Sequence, residues 1–227
     1  MACASFTNPQ PPKWLIVVLQ KEAQAVLNIP VTDAYERAVE LIVEQVHRKK
    51  GKLVTSGMGK AGQIAMNIAT TFCSTGIPSV FLHPSEAQHG DLGIQENDLL
   101  LLISNSGKTR EIVELTQLAH NLNPGLKFIV ITGNPDSPLA HESNVCLSTG
   151  KPQEVCVLCM TPTTSTTAMT VIGDILVVQT MKETGFTIEY RTARNGCCGL
   201  FATEYDVQYG FSDASAPGNR KKYVYWA

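Results

Sequence analysis

Along the first fifty residues apolar side chains recur at helical spacing. Ala34, Ala38, Leu41, Ile42 and Val46 predict an amphipathic helix that Thr32 or Asp33 is placed to cap. Trp14 to about Leu27 predicts an earlier one, after a start broken by Asn8-Pro9 and Pro11-Pro12. From Lys52 the pattern changes to short, solid apolar runs. Leu53–Thr55, Val80–Leu82, Leu99–Ile103, Phe128–Ile131 and Val145–Leu147 predict strands buried on both faces. Helical stretches lie between most of them, at about Gly62–Ser74, Arg110–Leu122 and Leu139–Glu142. A long helix at about Thr166–Glu183, apolar nearly all round, closes the unit, with Gly185 placed to end it. Strand–helix alternation at this pitch predicts an α/β fold, a three-layer αβα sandwich around a five-stranded parallel sheet.

The chain divides on this pattern into an N-terminal extension and helix (1–30), the alternating domain (31–190) and a tail (191–227). The tail holds seven of the fifteen aromatic residues after Leu200, in no regular period, and is assigned no element. The 227 residues, 44% hydrophobic and 17% charged, have ordinary globular composition. A net charge of −2 argues against a nucleic-acid or anionic-membrane partner. The longest apolar runs, Trp14–Leu19 and Leu99–Ile103, are too short to cross a bilayer, and no signal peptide is legible, so a cytoplasmic protein is expected. Seven cysteines form no framework and fit reduced thiols. Cys156 and Cys159 make a single CxxC, which by itself favours a structural role over zinc or redox work.

In a parallel sheet ligands gather beyond the carboxyl ends of the strands, so the strand-to-helix loops carry the chemistry. The first, Ser56-Gly57-Met58-Gly59-Lys60-Ala61-Gly62, contains GxGxxG. A dinucleotide site would want an acid after the second strand. That strand ends Phe81-Leu82-His83, and Lys60 suits a compact anion better. The third loop, Ser104-Asn105-Ser106-Gly107-Lys108-Thr109, lacks the first glycine of a P-loop, because Leu102 stands there. Its hydroxyls and backbone N–H groups at a helix start suit a phosphate dianion better than simple capping. The second loop packs His83, Glu86, His89 and Asp91 together, a set fit for acid–base or metal chemistry. Thr161-Pro162-Thr163-Thr164-Ser165-Thr166-Thr167 leads into the long helix and is placed to cap it and to close over a phosphate.

These motifs together resemble the sugar isomerase (SIS) domain, and within it the D-arabinose 5-phosphate isomerases of the Kdo pathway. The match is carried by GMGKAG at 57–62, TFCSTGIP at 71–78, HPSEAQHGDLG at 83–93, ISNSGKTREI at 103–112, VITGNPDSPLA at 130–140, PTTSTTA at 162–168 and GFTIE at 185–189. The resemblance implies a flavodoxin-like SIS fold, a homotetramer, no cofactor and a sugar-phosphate ligand. It implies catalytic roles for Lys60, Glu111, Glu154 and His89. It implies substrate contacts from Ser56, Gly76, Ile77, His83, His89, Ser104, Asn105, Ser106, Thr109, Thr164, Ser165 and Thr166, and an optional, inhibitory zinc at His83. Two departures stand out. The usual members continue into a pair of CBS domains, which these residues do not include. Where the family carries a histidine followed by glycines, residues 193–199 read Ala-Arg-Asn-Gly-Cys-Cys-Gly.

The reaction so implied interconverts D-arabinose 5-phosphate and D-ribulose 5-phosphate through a cis-enediol, feeding Kdo for lipopolysaccharide or capsule. It needs a base near C2, an acid for the carbonyl oxygen and a fixed phosphate. Glu111 lies at a helix start, where the dipole favours negative charge. Two alternatives stay open: another sugar-phosphate isomerase, or a non-catalytic module that senses a sugar phosphate.

Overall fold

Five strands form one parallel sheet: Leu53–Gly57 (β1), Ser79–Phe81 (β2), Leu99–Ile103 (β3), Lys127–Thr132 (β4) and Val145–Ser148 (β5). Their order, β2-β1-β3-β4-β5, comes from a computed structural model that describes residues 11–187. It is the flavodoxin-like order. The tail, residues 1–10 and the stretch at 193–199 lie outside the described residues.

Helices cover both faces, as the αβα expectation required. Lys13–Leu27 (α1) lies along the long helix Thr164–Glu183 (α7). Ala34–Ile42 (α2), continued by a π-helical turn to Arg48, joins Lys60–Ser74 (α3) and α7 on one face, over Leu99, Leu101, Ile103, Ile129 and Ile131. Pro84–Gln88 (α4), Arg110–Leu122 (α5) and Pro138–Glu142 (α6) cover the other, over Leu100, Leu102, Phe128 and Val130. The unbroken leucine run in β3 is thereby explained: alternate side chains enter two different cores, and each is fully buried. Each leucine so buried contributes about 1.5–3 kcal/mol.

Three expectations change. The edge strand β2 is not buried on both faces, and Val80 is exposed. α7 buries Ala168, Met169, Ile172, Leu176 and Val177 but leaves Ile175 and Val178 at the surface, so it has an inner and an outer face. From Lys13 onward the first helix is part of the domain rather than an extension, because it packs on α7 and buries Ala25. At the amino ends of the central strands the buried Asp98 carboxylate takes the Lys52 ammonium, the Lys52 N–H at 2.9 Å and the Gln95 N–H at 2.7 Å.

β1 and β3 are neighbours, with Gly57 opposite Ile103 at their carboxyl ends. The chain leaves β1 through α3 toward β2 and leaves β3 through α5 toward β4. The crevice between these two exits is the topological switch point of the sheet, where the N-termini of α3 and α5 flank a ligand position.

Candidate functional site

At the switch point the N-terminus of α5 is left open. Thr109 is its N-cap residue, yet its side chain makes no capping bond. The Thr109 hydroxyl is instead paired with Ser104 Oγ at 2.8 Å, and Ser104 Oγ accepts the Gly107 N–H at 3.1 Å. The first N–H groups of a helix have no intrahelical acceptor, so this pairing leaves α5 with donors and a positive dipole end for an anion. Ser106 Oγ accepts the Lys108 N–H at 3.2 Å, which folds the loop over itself. Gly133 N–H and the Thr132 hydroxyl donate to Asn105 O at 3.0 and 3.3 Å, anchoring the loop on β4. Asn105 and Ser106 are exposed, Thr109 is half-buried and Ser104 is buried beneath them. Glu111 is half-buried in the first turn of the same helix.

Beyond the neighbouring strand β1, Lys60 opens α3. Lys60 and Thr166, from opposite segments of the sequence, line one open groove of about 300 Å³ together with Gln63, Ile64, Asn67, Thr167 and Thr170. Gln63 and Asn67 escaped the motif search, as did Thr167 and Thr170. A signal was available: 63 and 67, like 166 and 170, are polar positions one helical turn apart. Glycines of the GxGxxG loop serve a close approach within the fold. A Cβ on Gly62 would stand 2.6 Å from Gly57 O, so this glycine serves contact between α3 and β1 rather than with a ligand.

The histidines sit on α4, a short helix that the sequence did not announce. His83 is its N-cap residue, His89 its C-cap residue, and both are exposed. α4 packs against α5, fastened by Gln88 Nε2 donating to Glu114 at 3.0 Å, so His83 and His89 stand beside the helix that carries Glu111. His83 also meets Phe81 edge to face, with ring centroids 6.4 Å apart. Among the described residues no group of three or more histidine, cysteine, aspartate or glutamate side chains is arranged to hold a metal.

Glu154 caps α7. Its Oε2 accepts the Thr163 N–H at 2.6 Å, the Thr163 hydroxyl at 2.8 Å and the Thr164 hydroxyl at 3.2 Å. Burial pushes this carboxyl up, but the hydrogen bonds from Ser165 and Thr163 together outweigh it and hold the group below its ordinary range. A carboxylate whose folded pKa is lowered stabilises the fold above its unfolded value and loses that contribution as pH falls through the folded one. Glu154→Gln is therefore expected to melt below the parent at pH 7. The gap should narrow once the pH drops below about 4, the ordinary carboxylate range. Melting curves at both pH values check this, and a gap independent of pH would contradict it.

Several residues to which the resemblance assigns substrate contacts are engaged within the fold. Ser56 is fully buried and donates to Leu82 O at 2.8 Å, which fastens the end of β2 to β1 ahead of His83. Thr164 and Ser165 are buried too. Thr164 donates to Gln153 O at 2.8 Å and Ser165 bonds to Glu154, so both belong to the capping of α7. Of that trio Thr166 alone reaches the groove, and its hydroxyl donates to Thr163 O at 2.7 Å. Gly76 and Ile77 precede β2, whose Ser79 pairs with Leu53 at the amino end of β1, so they lie across the sheet from the switch point. Ile77 is in the core, 2% exposed.

A family model for the SIS domain matches residues 47–179. The chain belongs to the SIS-domain family. Within that family it is 44% identical over 172 residues to the arabinose 5-phosphate isomerase KdsD of Pseudomonas aeruginosa, covering 75% of this chain and 51% of the relative. The KdsD of Escherichia coli K12 is 41% identical over 175 residues, 77% of this chain and 52% of that protein. The chain thus spans about half the length of these curated relatives. Solved structures with the SIS fold include a Bacteroides fragilis protein assigned as a phosphosugar isomerase involved in capsule formation. It is 88% identical, with a TM-score of 0.79 over 80% of this chain and 95% of its own. An Escherichia coli CFT073 protein in complex with arabinose 5-phosphate has 32% identity and a TM-score of 0.70, covering 79% of this chain and 94% of its own.

Proposed function

We propose that this SIS domain is an aldose–ketose isomerase that interconverts D-arabinose 5-phosphate and D-ribulose 5-phosphate through a cis-enediol. The observation that carries this reading is the uncapped N-terminus of α5 at the switch point, with Ser104 and Thr109 locked to each other beneath it. A phosphate held there by backbone N–H groups, Asn105, Ser106 and Thr109 fixes the sugar chain. Glu111, in the first turn of the same helix, moves the proton between C2 and C1. Lys60 offsets the charge of the enediolate, and His89 serves as proton donor or shuttle. Glu154 acts by holding the start of α7 and so the position of Thr166 in the groove beside Lys60. A zinc at His83 would compete with the sugar for that side chain rather than assist the reaction.

The product is proposed to feed capsule or lipopolysaccharide sugars in the cytoplasm; the curated relatives and the arabinose 5-phosphate complex support the choice of substrate, and the capsule role given for the Bacteroides fragilis structure supports a capsule sugar. Incubation with arabinose 5-phosphate should yield ribulose 5-phosphate. Binding without turnover would overturn the isomerase in favour of a sensor. Turnover of hexose or heptose phosphates alone would overturn the choice of sugar.

The protein is further proposed to be a homotetramer. Trp14, Val17 and Leu19 on α1 and Val178 on α7 are all exposed, on two helices that lie against each other. Exposed large apolar side chains on two packed helices support an interface with further copies of the chain. Light scattering should return four times the chain mass of 24.6 kDa, and a lone 24.6 kDa species at micromolar concentration would contradict it.

A further inference from the structure

The CxxC at Cys156 and Cys159 lies in the loop between β5 and α7, two residues beyond Glu154. The loop folds into a single turn there. The Cys159 N–H donates to Cys156 O at 2.9 Å, and Cys159 takes a φ of 51°. A turn closed from residue i to i+3 keeps its end Cα atoms within about 7 Å. Disulfides span Cα distances of about 4.4–6.8 Å, so the turn brings the two Cα atoms to the separation a bridge needs.

The two sulfurs differ from Cys73 and Cys146, the other cysteines among the described residues. Cys156 Sγ accepts the Met160 and Thr161 N–H groups, both at 3.1 Å. Cys159 Sγ receives Gln153 Nε2 at 3.4 Å. Hydrogen bonds donated to sulfur favour thiolate. Those from Thr161, backbone first and then side chain, with help from Met160 and Leu158, bring the Cys156 thiol down to about 7. Cys73 does the opposite, donating its own proton to Ser79 O at 2.9 Å, and burial pushes Cys146 up. Access is open as well: Cys159 is exposed, and the flanking Val157, Leu158 and Met160 are 99%, 75% and 78% exposed.

We propose that Cys156 and Cys159 form a peroxide-oxidisable dithiol, a redox modification site on the loop that carries Glu154. In the first step the Cys156 thiolate attacks one oxygen of a hydroperoxide. The O–O bond breaks, Cys156 becomes a sulfenic acid, and the second oxygen leaves as hydroxide or alkoxide and takes a proton. In the second step the Cys159 sulfur attacks Cys156 Sγ. The S–S bond forms as the S–OH bond breaks, and water leaves carrying the Cys159 proton. Two thiols lose two electrons in all, and the peroxide accepts them.

The test uses the full chain, reduced, then treated with stoichiometric hydrogen peroxide at pH 7. Cleavage after Glu154 separates this pair from Cys146, so the peptide can be weighed alone. It should be lighter by two hydrogens, resist alkylation, and regain both upon treatment with dithiothreitol. Cys159→Ser should stop at a sulfenic acid on Cys156 that dimedone traps. Cys156→Ser should consume peroxide roughly tenfold more slowly. Melting curves of the reduced proteins establish that both variants are folded. A peptide that stays reduced while Cys73 is oxidised would overturn the proposal, as would a Cys156→Ser protein that reacts at the parent's rate.

Discussion

Glu111→Gln is expected to lower turnover of arabinose 5-phosphate by roughly 10²–10⁴-fold, the range for loss of a general base. Affinity for the same sugar should stay within a few fold. Shape is kept, and the phosphate donors proposed on the loop and first turn are backbone N–H groups and the side chains of Asn105, Ser106 and Thr109. A second variant separates anchoring from chemistry. Thr109→Ala removes the hydroxyl paired with Ser104 at 2.8 Å, which loosens the loop that Gly107 N–H also ties to Ser104. It should weaken sugar phosphate and simple phosphate esters alike, by about 1.5–3 kcal/mol if one bond to charged phosphate is lost. Calorimetric affinities beside steady-state rates distinguish the two patterns. Turnover that survives Glu111→Gln unchanged would remove Glu111 from the mechanism. Binding that survives Thr109→Ala would move the phosphate elsewhere.

The sheet was legible because its central strands are apolar without interruption. Leu99–Ile103 and Phe128–Ile131 serve two cores at once, so every position must be apolar, and no helix of that length would read so. The open loop between β3 and α5 was legible for a related reason: polar residues clustered around a glycine between a buried strand and a helix start mark a turn that leaves donors at that helix start. What could not be read depends on partners distant in sequence. Ser56 looks like a ligand-facing hydroxyl until β2 arrives beside it and Leu82 O takes its proton. Glu154 carries no local sign of capping, because the N–H groups it accepts lie nine or more residues ahead, across a loop with no regular element. α4 is too short for periodicity, and only Pro84 at its first position marks it. For Gly76 and Ile77 the motif match did not say at which end of the sheet they lie, and that became visible only once Ser79 was paired with Leu53.

Gly107→Ala is expected to be the most damaging single change to the site, and its effect splits into two parts. Gly107 has a φ of 63°, which costs a residue with a Cβ roughly 1–2 kcal/mol. The added methyl would also run into Ser137 Oγ and Cβ. Ser137 cannot easily yield. It is fully buried, and its Oγ accepts the Ala140 N–H at 3.3 Å to cap α6. Overpacking of this kind costs about 1–3 kcal/mol. Together the two come to about 2–5 kcal/mol, or on the order of 5–15 °C in Tm for a domain of this size. Gly185→Ala supplies the comparison. Gly185 follows the C-cap of α7 with a φ of 64° and nothing within 4 Å of its Cβ direction, so backbone strain is its whole penalty. Gly107→Ala should therefore melt well below Gly185→Ala. It should also lose phosphate affinity, because the Gly107 N–H that holds Ser104 moves with the backbone. Equal melting temperatures would show that the contact with Ser137 relaxes. The loop would then not be rigid enough to hold its donors ready for a phosphate.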